Sequence, residues 1–301
     1  MMTRMNPKAD PLLLRLAVPA LLLGLGACSQ PATSTESVDT TADTQGLAEG
    51  TLLSAFFGLD DALPMVAHRI CLGGAGKDGM PVITSKEVDH TSVQAGDFRV
   101  VKASGAQSSV DCVSLLPATD AGELRTILLI GEFGNDGEDP PANVEIAGNL
   151  LSLDGKTNFK GASVKVTPLK DGPFLVAAQR VSEDEKDMGL GALGTAGSLC
   201  IDPATAQQLR VTWAGGVTLK GGDAPTQEAR QLYTVTVLGE DGATREVSPI
   251  ELADHEDPDN NHVLCLDTPD EPVFVAFPKG HFTDPNEDPN PATSIAVSIE
   301  E

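Results

Sequence analysis

The sequence predicts an all-β protein made of two tandem β-sandwich domains behind a signal peptide and a flexible tether. Short runs of Val, Ile, Leu, Thr and Phe alternate with turn clusters throughout residues 65–301, a pattern typical of strands joined by turns. The chain also holds 30 glycines and 21 prolines, too many for a long helical bundle. Its 301 residues exceed one typical domain and suit two.

The composition is strongly acidic and excludes two kinds of partner. The chain has 20 basic and 44 acidic residues and a formal net charge of −24. A surface that binds nucleic acid needs clustered Lys and Arg to neutralise phosphates, so we expect no nucleic-acid partner. The same balance argues against docking onto anionic lipid headgroups through a basic patch.

Residues 1–27 contain the segments of a signal peptide in the expected order. Three basic residues precede the apolar run 16–27, which is too short to span a bilayer as a helix. The run ends at Leu25-Gly26-Ala27-Cys28, which resembles the bacterial lipobox. An ordinary signal peptide that happens to precede a cysteine is the alternative.

The resemblance to the lipobox implies that Cys28 is diacylated and becomes the mature N-terminus. Because Ser29 rather than Asp follows the cysteine, the resemblance favours the outer membrane of a Gram-negative cell over the inner membrane. Several acyl chains hold a protein on a bilayer without help from the polypeptide, so the expected membrane contact is the lipid itself. Residues 28–50 are polar, rich in Ser and Thr, and are predicted to be a disordered tether.

Four further cysteines fit an exported protein. None belongs to a CxxC pair, so a tetrahedral metal site is not expected. An even number of cysteines in an exported chain predicts two disulfides, for which three pairings are possible. The order along the chain favours Cys71 with Cys112 and Cys200 with Cys265, because each pair then closes inside one domain.

The candidate strands form two series that can be laid over each other. Aligned pairs of segments include 98–100 with 233–235 and 164–166 with 295–297, and a tandem duplication explains them better than chance. The turn at 170–173 predicts a boundary between a first domain, 51–172, and a second domain, 173–301. The first series of predicted strands is 65–72, 80–85, 98–102, 109–115, 125–130, 143–146 and 162–168. The second series is 174–181, 208–213, 231–238, 244–248, 262–267, 272–277 and 294–299.

The first domain also contains a series of predicted strands and turns that together form a motif. Its parts are the strand 81–85, then Val88-Asp89 with 91–93, then 97–100, and finally 148–155. This order resembles the bacterial Ig-like repeats of surface proteins, although Thr84-Ser85 stands where those repeats carry Phe-Ser. The resemblance implies Ig-like β-sandwiches that act as a spacer, adhesive or accessory module, and it implies no catalytic residues.

Two loops of the second domain concentrate oxygen donors, at 254–261 and 284–290. Calcium takes six to eight oxygen ligands from such groups, but neither loop fits the EF-hand pattern. Asp, Asn and Pro also dominate solvated turns for backbone reasons alone. If the loops converge, the sequence predicts a calcium site whose carboxylates come from Asp254, Asp257, Asp259, Asp284 and Asp288.

These observations lead to three functional hypotheses. The first is a lipid-anchored envelope protein that acts as a non-enzymatic binding or structural module for an unknown protein or glycan. The second is a calcium-dependent ligand or adhesion module, with calcium as the one cofactor considered. The third is a hydrolase of unrecognised type, which only the length of the chain supports. GxSxG, Walker, HExxH and SxxK motifs are all missing from the mature chain. Trp213 and Tyr233 lie in predicted strands, where we expect core packing rather than a sugar platform.

Overall fold

The computed structural model describes residues 46–182, 200–253 and 259–298, and over these ranges the protein is all-β. The short 3-10 helices are Met65–Arg69, His90–Ser92, Ala95–Asp97 and Gln227–Leu232. The strands are β1 Ala48–Glu49, β2 Leu52–Phe56, β3 Asp78–Thr84, β4 Phe98–Lys102, β5 Gln107–Ser114, β6 Thr126–Gly131, β7 Pro141–Ile146, β8 Thr157–Asn158, β9 Ser163–Thr167, β10 Leu175–Arg180, β11 Gln207–Trp213, β12 Thr234–Leu238, β13 Thr244–Val247, β14 Glu251–Ala253, β15 Asn261–Leu266, β16 Glu271–Phe277 and β17 Thr293–Ala296.

The first body is a closed seven-stranded barrel in the order β2-β3-β6-β5-β4-β7-β9. All pairs are antiparallel except β2 with β9, whose parallel pairing (Ala55 with Val166) closes the barrel. Side chains alternate across the strands, so Ile127 and Leu129 of β6 point into the main core while Leu128 and Ile130 contact a small cluster on the other face. The first body is therefore a closed barrel, where the sequence predicts a sandwich of two sheets.

The second body is a pair of four-stranded sheets, β10-β11-β15-β14 and β13-β12-β16-β17. Its core contains the single tryptophan, Trp213, which is fully buried. The ring of Trp213 makes edge contacts with Phe277 and Phe282 at centroid distances of 5.0 and 5.4 Å. Both Trp213 and Tyr233 therefore belong to the core, as the sequence predicts.

The two bodies share one order of strand pairing. The ladder β6-β3-β2 of the first corresponds to β15-β11-β10 of the second, and β4-β7-β9 corresponds to β12-β16-β17. In the first body β5 pairs with both β4 and β6. In the second body this strand is divided, because the segment 248–250, which contains Pro249, separates β13 from β14. Proline cannot donate to a ladder. The parallel pairing that closes the barrel is also reduced here to a single bridge between Gln179 and Ser298, so the strands form two sheets instead of a barrel.

Three local predictions differ from the structure. The segment predicted as a strand at 65–72 begins with a 3-10 helix, because Ala67 and Cys71 turn inward onto the outer face of the barrel. The strand β2, Leu52–Phe56, was not predicted, and it supplies the edge that closes the barrel. The last residues assigned to the tether, 46–50, include β1, which pairs with β8.

The two bodies are in direct contact. The turn predicted as their boundary lies between β9 and β10, and a Cβ on Gly172 would be 2.1 Å from the Pro289 carbonyl oxygen. Asn286 Nδ2 donates to the Gly58 carbonyl at 2.7 Å. This packing joins the barrel and the second body without relying on the connecting turn alone.

Candidate functional site

The predicted lipidation site, Cys28, lies outside the described residues together with the signal peptide and most of the tether. Within the residues that are described, no helix has the length and apolar character needed to cross a bilayer. Acylation of Cys28 therefore stays a prediction that rests on the sequence.

Both predicted disulfides are present. Cys71 and Cys112 are bonded with a Cα–Cα distance of 6.2 Å, and Cys200 and Cys265 with a distance of 5.9 Å. The first bond fastens the segment before β3 to β5, and the second ties the chain before β11 to β15. Each bond closes inside one body, as the order of the cysteines along the chain predicts.

Asp284 is a structural organiser of its own loop. Its Oδ1 accepts hydrogen bonds from the backbone N–H of Asn286 at 3.0 Å and of Asp288 at 2.8 Å, and Oδ2 accepts from Asn286 Nδ2 at 3.1 Å. Burial raises the pKa of the Asp284 carboxyl above its ordinary 3.8, although these hydrogen bonds oppose the shift. Such bonds are typical of an Asx turn, as in the turn alternative raised by the sequence, although Asp284 is buried rather than solvated.

The structure describes only some of the other predicted calcium ligands, and those that it describes do not come together. Asp254 and Asp257 lie outside the described residues. Asp259 is buried and its Oδ1 accepts from the backbone N–H of Asn261 at 2.7 Å. Among the described residues, Asp259, Asp284 and Asp288 do not form a group of ligand atoms within 4.8 Å of one another. The calcium site stays a prediction whose test requires the whole loop.

A group of carboxylates that the sequence did not suggest lies beside the barrel. Ligand oxygens of Asp60, Asp61 and Asp78 lie within 4.8 Å of one another. Asp78 is buried and accepts from the backbone N–H of Asp61 at 2.8 Å and of Phe133 at 2.5 Å. Burial raises the pKa of Asp78, and the charges of Asp60 and Asp61 add to the shift. The group forms because β3 begins beside the end of β2, a pairing that no local motif reveals.

A buried ion pair lies where the two bodies meet. Arg210 on β11 and Glu123 in the loop before β6 are both buried, with Arg210 Nε 3.8 Å from Glu123 Oε1. Arg210 Nη2 also donates to the Ala121 carbonyl at 2.7 Å. A Cβ on Gly122 would be 1.8 Å from Arg210 Nη1, so only glycine leaves room for the guanidinium. The pair couples the two bodies and is shielded from solvent.

Tyr233 and His262 form a hydrogen-bonded pair inside the second body. The Tyr233 hydroxyl lies 2.7 Å from His262 Nδ1 and accepts from Trp213 Nε1 at 3.1 Å. Burial raises the pKa of Tyr233 well above its ordinary value. All three side chains are fully or almost fully buried, so this arrangement satisfies polar groups within the core.

An open groove of about 560 Å³ lies beside β12, β16 and β17. Apolar, hydroxyl and amide side chains line it, and none of the described lining residues is titratable. Its main lining residues are Gln231, Thr234, Phe277, Pro278, Thr293 and Ser294.

No family model matches the chain, and no curated protein matches it. Among solved structures it is similar to the S-layer protein rSbsC(31-844), with 11% identity and a TM-score of 0.28, and to surface layer protein SbsC, domains 1-6, with 12% identity and a TM-score of 0.28. Each comparison covers 84% of this chain and 41% of the other chain. The TM-score is too low for these likenesses to support an argument about function.

Proposed function

We propose that this protein is an exported, lipid-anchored module of the bacterial cell envelope that binds or supports other envelope components and catalyses no reaction. The observation that carries the proposal is the pair of disulfides, one in each body, in a chain whose residues 25–28 resemble a lipobox. Disulfides persist in oxidising compartments such as the periplasm and the cell surface, which agrees with export.

The pairing of the strands supports an Ig-like assignment for both bodies. The sheets β10-β11-β15-β14 and β13-β12-β16-β17 correspond to the two packed antiparallel sheets of an Ig-type sandwich. The barrel has the same ladder order with one undivided strand. A tandem pair of such domains suits the role of a spacer or accessory module, which the sequence motif also suggests.

The contact between the bodies supports a structural role. Arg210 and Glu123 are buried between them, and Gly122 leaves the space that the guanidinium fills. Such a contact limits the relative motion that unlinked neighbouring domains otherwise show. A pair of domains fixed in this way can hold a ligand surface at a set distance and orientation from an anchor.

Acylation is tested first in a Gram-negative host that carries the wild-type chain or Cys28→Ala. Wild type should incorporate labelled palmitate and float with membranes, and the mature protein should lack residues 1–27. Cys28→Ala should lose the label and leave the membrane fraction. Membrane association of Cys28→Ala with unchanged mass refutes the anchor.

Sorting gives a matched control at the next residue. Ser29→Asp keeps the acylated cysteine, so it should still take up palmitate while moving from outer-membrane to inner-membrane fractions. An unchanged distribution between the two membranes contradicts the outer-membrane assignment and leaves the anchor intact.

A further inference from the structure

We propose that an apolar ridge on the barrel, formed by Met65, Val66, Ile70 and Leu72, inserts into the surface of the lipid bilayer that carries the anchor. This inference rests on the proposed function, because it takes acylated Cys28 as the group that brings the body to the membrane. The ridge would give the body a second contact with the bilayer and fix which side of the barrel faces the lipid.

The ridge is apolar and exposed to an unusual degree. Relative exposures are 81% for Met65, 57% for Val66, 37% for Ile70 and 90% for Leu72. Four large aliphatic side chains are exposed within eight residues of the chain, on the 3-10 helix Met65–Arg69 and the turn that follows it. A concentrated apolar area on a protein surface is typical of a binding site for protein or membrane.

The ridge is held in a fixed shape from below. Ala67 and Cys71 are buried against Ile130 on the outer face of β6, and Cys71 is bonded to Cys112. The backbone N–H of Cys71 donates to the Ala67 carbonyl at 2.8 Å. The exposed side chains therefore do not turn inward, and little conformational entropy is lost when they enter another phase.

The segment that carries the ridge differs in charge from its acidic surroundings, which include Asp60, Asp61 and Asp78 at its two ends. Residues 62–77 contain no acidic side chain, although the whole chain carries a net charge of −24. Arg69 is exposed and makes no ion pair with any described residue, whereas Lys77 at the base is paired with Asp111 and Glu132. Repulsion from anionic headgroups acts on the rest of the body, so this side is the one that turns toward the membrane.

The ridge lies within reach of the anchor. Cys28 and Gly46 are 18 residues apart, and that length of chain spans at most about 60 Å. The described chain enters the barrel beside the end of β3, whereas the ridge precedes its start. The two points are therefore separated by about the length of β3, whose seven residues span about 23 Å. The tether is long enough to cover this separation. A short linker gives an effective concentration of about millimolar, so a weak contact suffices.

The side chains favour lipid over a protein partner. Anchors of protein interfaces are typically Trp, Tyr and Arg seated in fitted pockets, whereas the ridge has no aromatic side chain. Aliphatic chains and methionine enter the acyl region without a matching shape, and Arg69 can keep its guanidinium among the phosphates. This mode depends on apolar insertion, so it differs from docking through a broad basic patch, which the composition disfavours.

The experiment compares two tryptophan substitutions in the full lipidated chain. Leu72→Trp lies on the ridge, and Ile201→Trp is its control, because Ile201 is 87% exposed in the second body. The protein is reconstituted in vesicles of brominated phosphatidylcholine and phosphatidylglycerol, whose bromines quench nearby indole emission. Trp213 is fully buried and supplies a constant background. Emission added by Leu72→Trp should fall by about half or more, as expected for insertion of roughly 5–10 Å, and emission added by Ile201→Trp should not change.

Failure of the anchor and failure of the ridge give different results. If the lipidated chain floats with vesicles but both added tryptophans are quenched equally, or neither is quenched, the ridge proposal is overturned and the anchor stands. If the chain does not float, the anchor is wrong, and the ridge is then measured alone with the Cys28→Ala chain at high vesicle concentration. There, Met65→Ser/Leu72→Ser should reduce the bound fraction on the order of tenfold.

Self-association is the remaining alternative occupant. Sedimentation velocity of the Cys28→Ala chain over a range of concentrations should show the same species with and without Leu72→Ser. A dimer that Leu72→Ser abolishes assigns the ridge to a second copy of the chain and overturns the lipid proposal. Because Met65 and Leu72 are almost fully exposed, the serine variants should keep the melting temperature of wild type.

Discussion

Replacing Arg210 with Met should weaken the whole structure because it removes a buried charge at the contact between the two bodies. At 3.8 Å from Glu123 and an effective dielectric near 20, the attraction is about 4 kcal/mol. The hydrogen bond from Arg210 to the Ala121 carbonyl contributes about 2 kcal/mol more. Relief of the desolvated guanidinium offsets about half of this sum. The expected loss in the free energy of unfolding is therefore about 3 kcal/mol.

The assay is urea unfolding of the oxidised protein, followed by the fluorescence of Trp213 and by far-UV circular dichroism. Wild type should unfold in one transition in which both signals change together, because the bodies are coupled. Arg210→Met should lower the midpoint and separate the two signals. Arg180→Met on the neighbouring strand is the matched control, since Arg180 is exposed and its removal should change stability by less than about 0.5 kcal/mol.

A double-mutant cycle with Glu123→Gln isolates the pair. The two substitutions together should destabilise by less than the sum of the single effects, with a coupling energy of about 1–3 kcal/mol. A loss below about 1 kcal/mol for Arg210→Met, or additive effects within about 0.5 kcal/mol, refutes the reasoning from the buried pair.

Three further predictions concern charge, metal and covalent links. Burial raises the pKa of Asp284, so the native state of wild type loses stability as the pH rises from about 4 to 7 and this carboxyl ionises. Asp284→Asn has no such group, so its melting temperature should rise relative to that of wild type over this range. A difference between the two melting temperatures that does not change with pH contradicts this. Millimolar calcium should raise the melting temperature by several degrees in wild type and much less in Asp257→Asn/Asp259→Asn, whereas equal shifts with magnesium, or with sodium at matched ionic strength, eliminate the site. Cys200→Ser/Cys265→Ser should lose about 4 kcal/mol in urea unfolding, because the bond spans 65 residues, and a loss under about 1 kcal/mol argues against that model.

The sequence predicts individual strands well where a run of apolar residues lies between turns. The predicted strand 98–102 coincides with Phe98–Lys102, and most others agree within a few residues. The segment 65–72 is equally apolar but folds as a 3-10 helix and a turn, because Cys71 must reach Cys112 on another strand. Local hydrophobicity cannot distinguish a strand from a segment that covers the outside of a barrel.

The candidate sites also differ in how far the sequence predicts them. The cysteine pairing follows from sequence order, and the structure has both bonds. The group of Asp60, Asp61 and Asp78 could not be predicted, because strand pairing brings together residues that are separated along the chain. Asp284 was predicted as a metal ligand from the oxygen donors of its loop, with a turn as the alternative, and in the structure its oxygens accept hydrogen bonds within that loop.

The sequence by itself predicted the β class and the core positions of Trp213 and Tyr233, and it favoured the observed disulfide pairing over the two alternatives, because turn residues, apolar runs and cysteine order act locally along the chain. Tertiary structure alone decided which faces are buried. Arg210 alternates with apolar neighbours on β11 and has the pattern of a solvent-facing residue, yet it is buried because the barrel's Ala121 and Glu123 lie against it. Closure of the first body into a barrel likewise depends on the pairing of β2 with β9, since contacts between distant segments form only when the whole chain has folded.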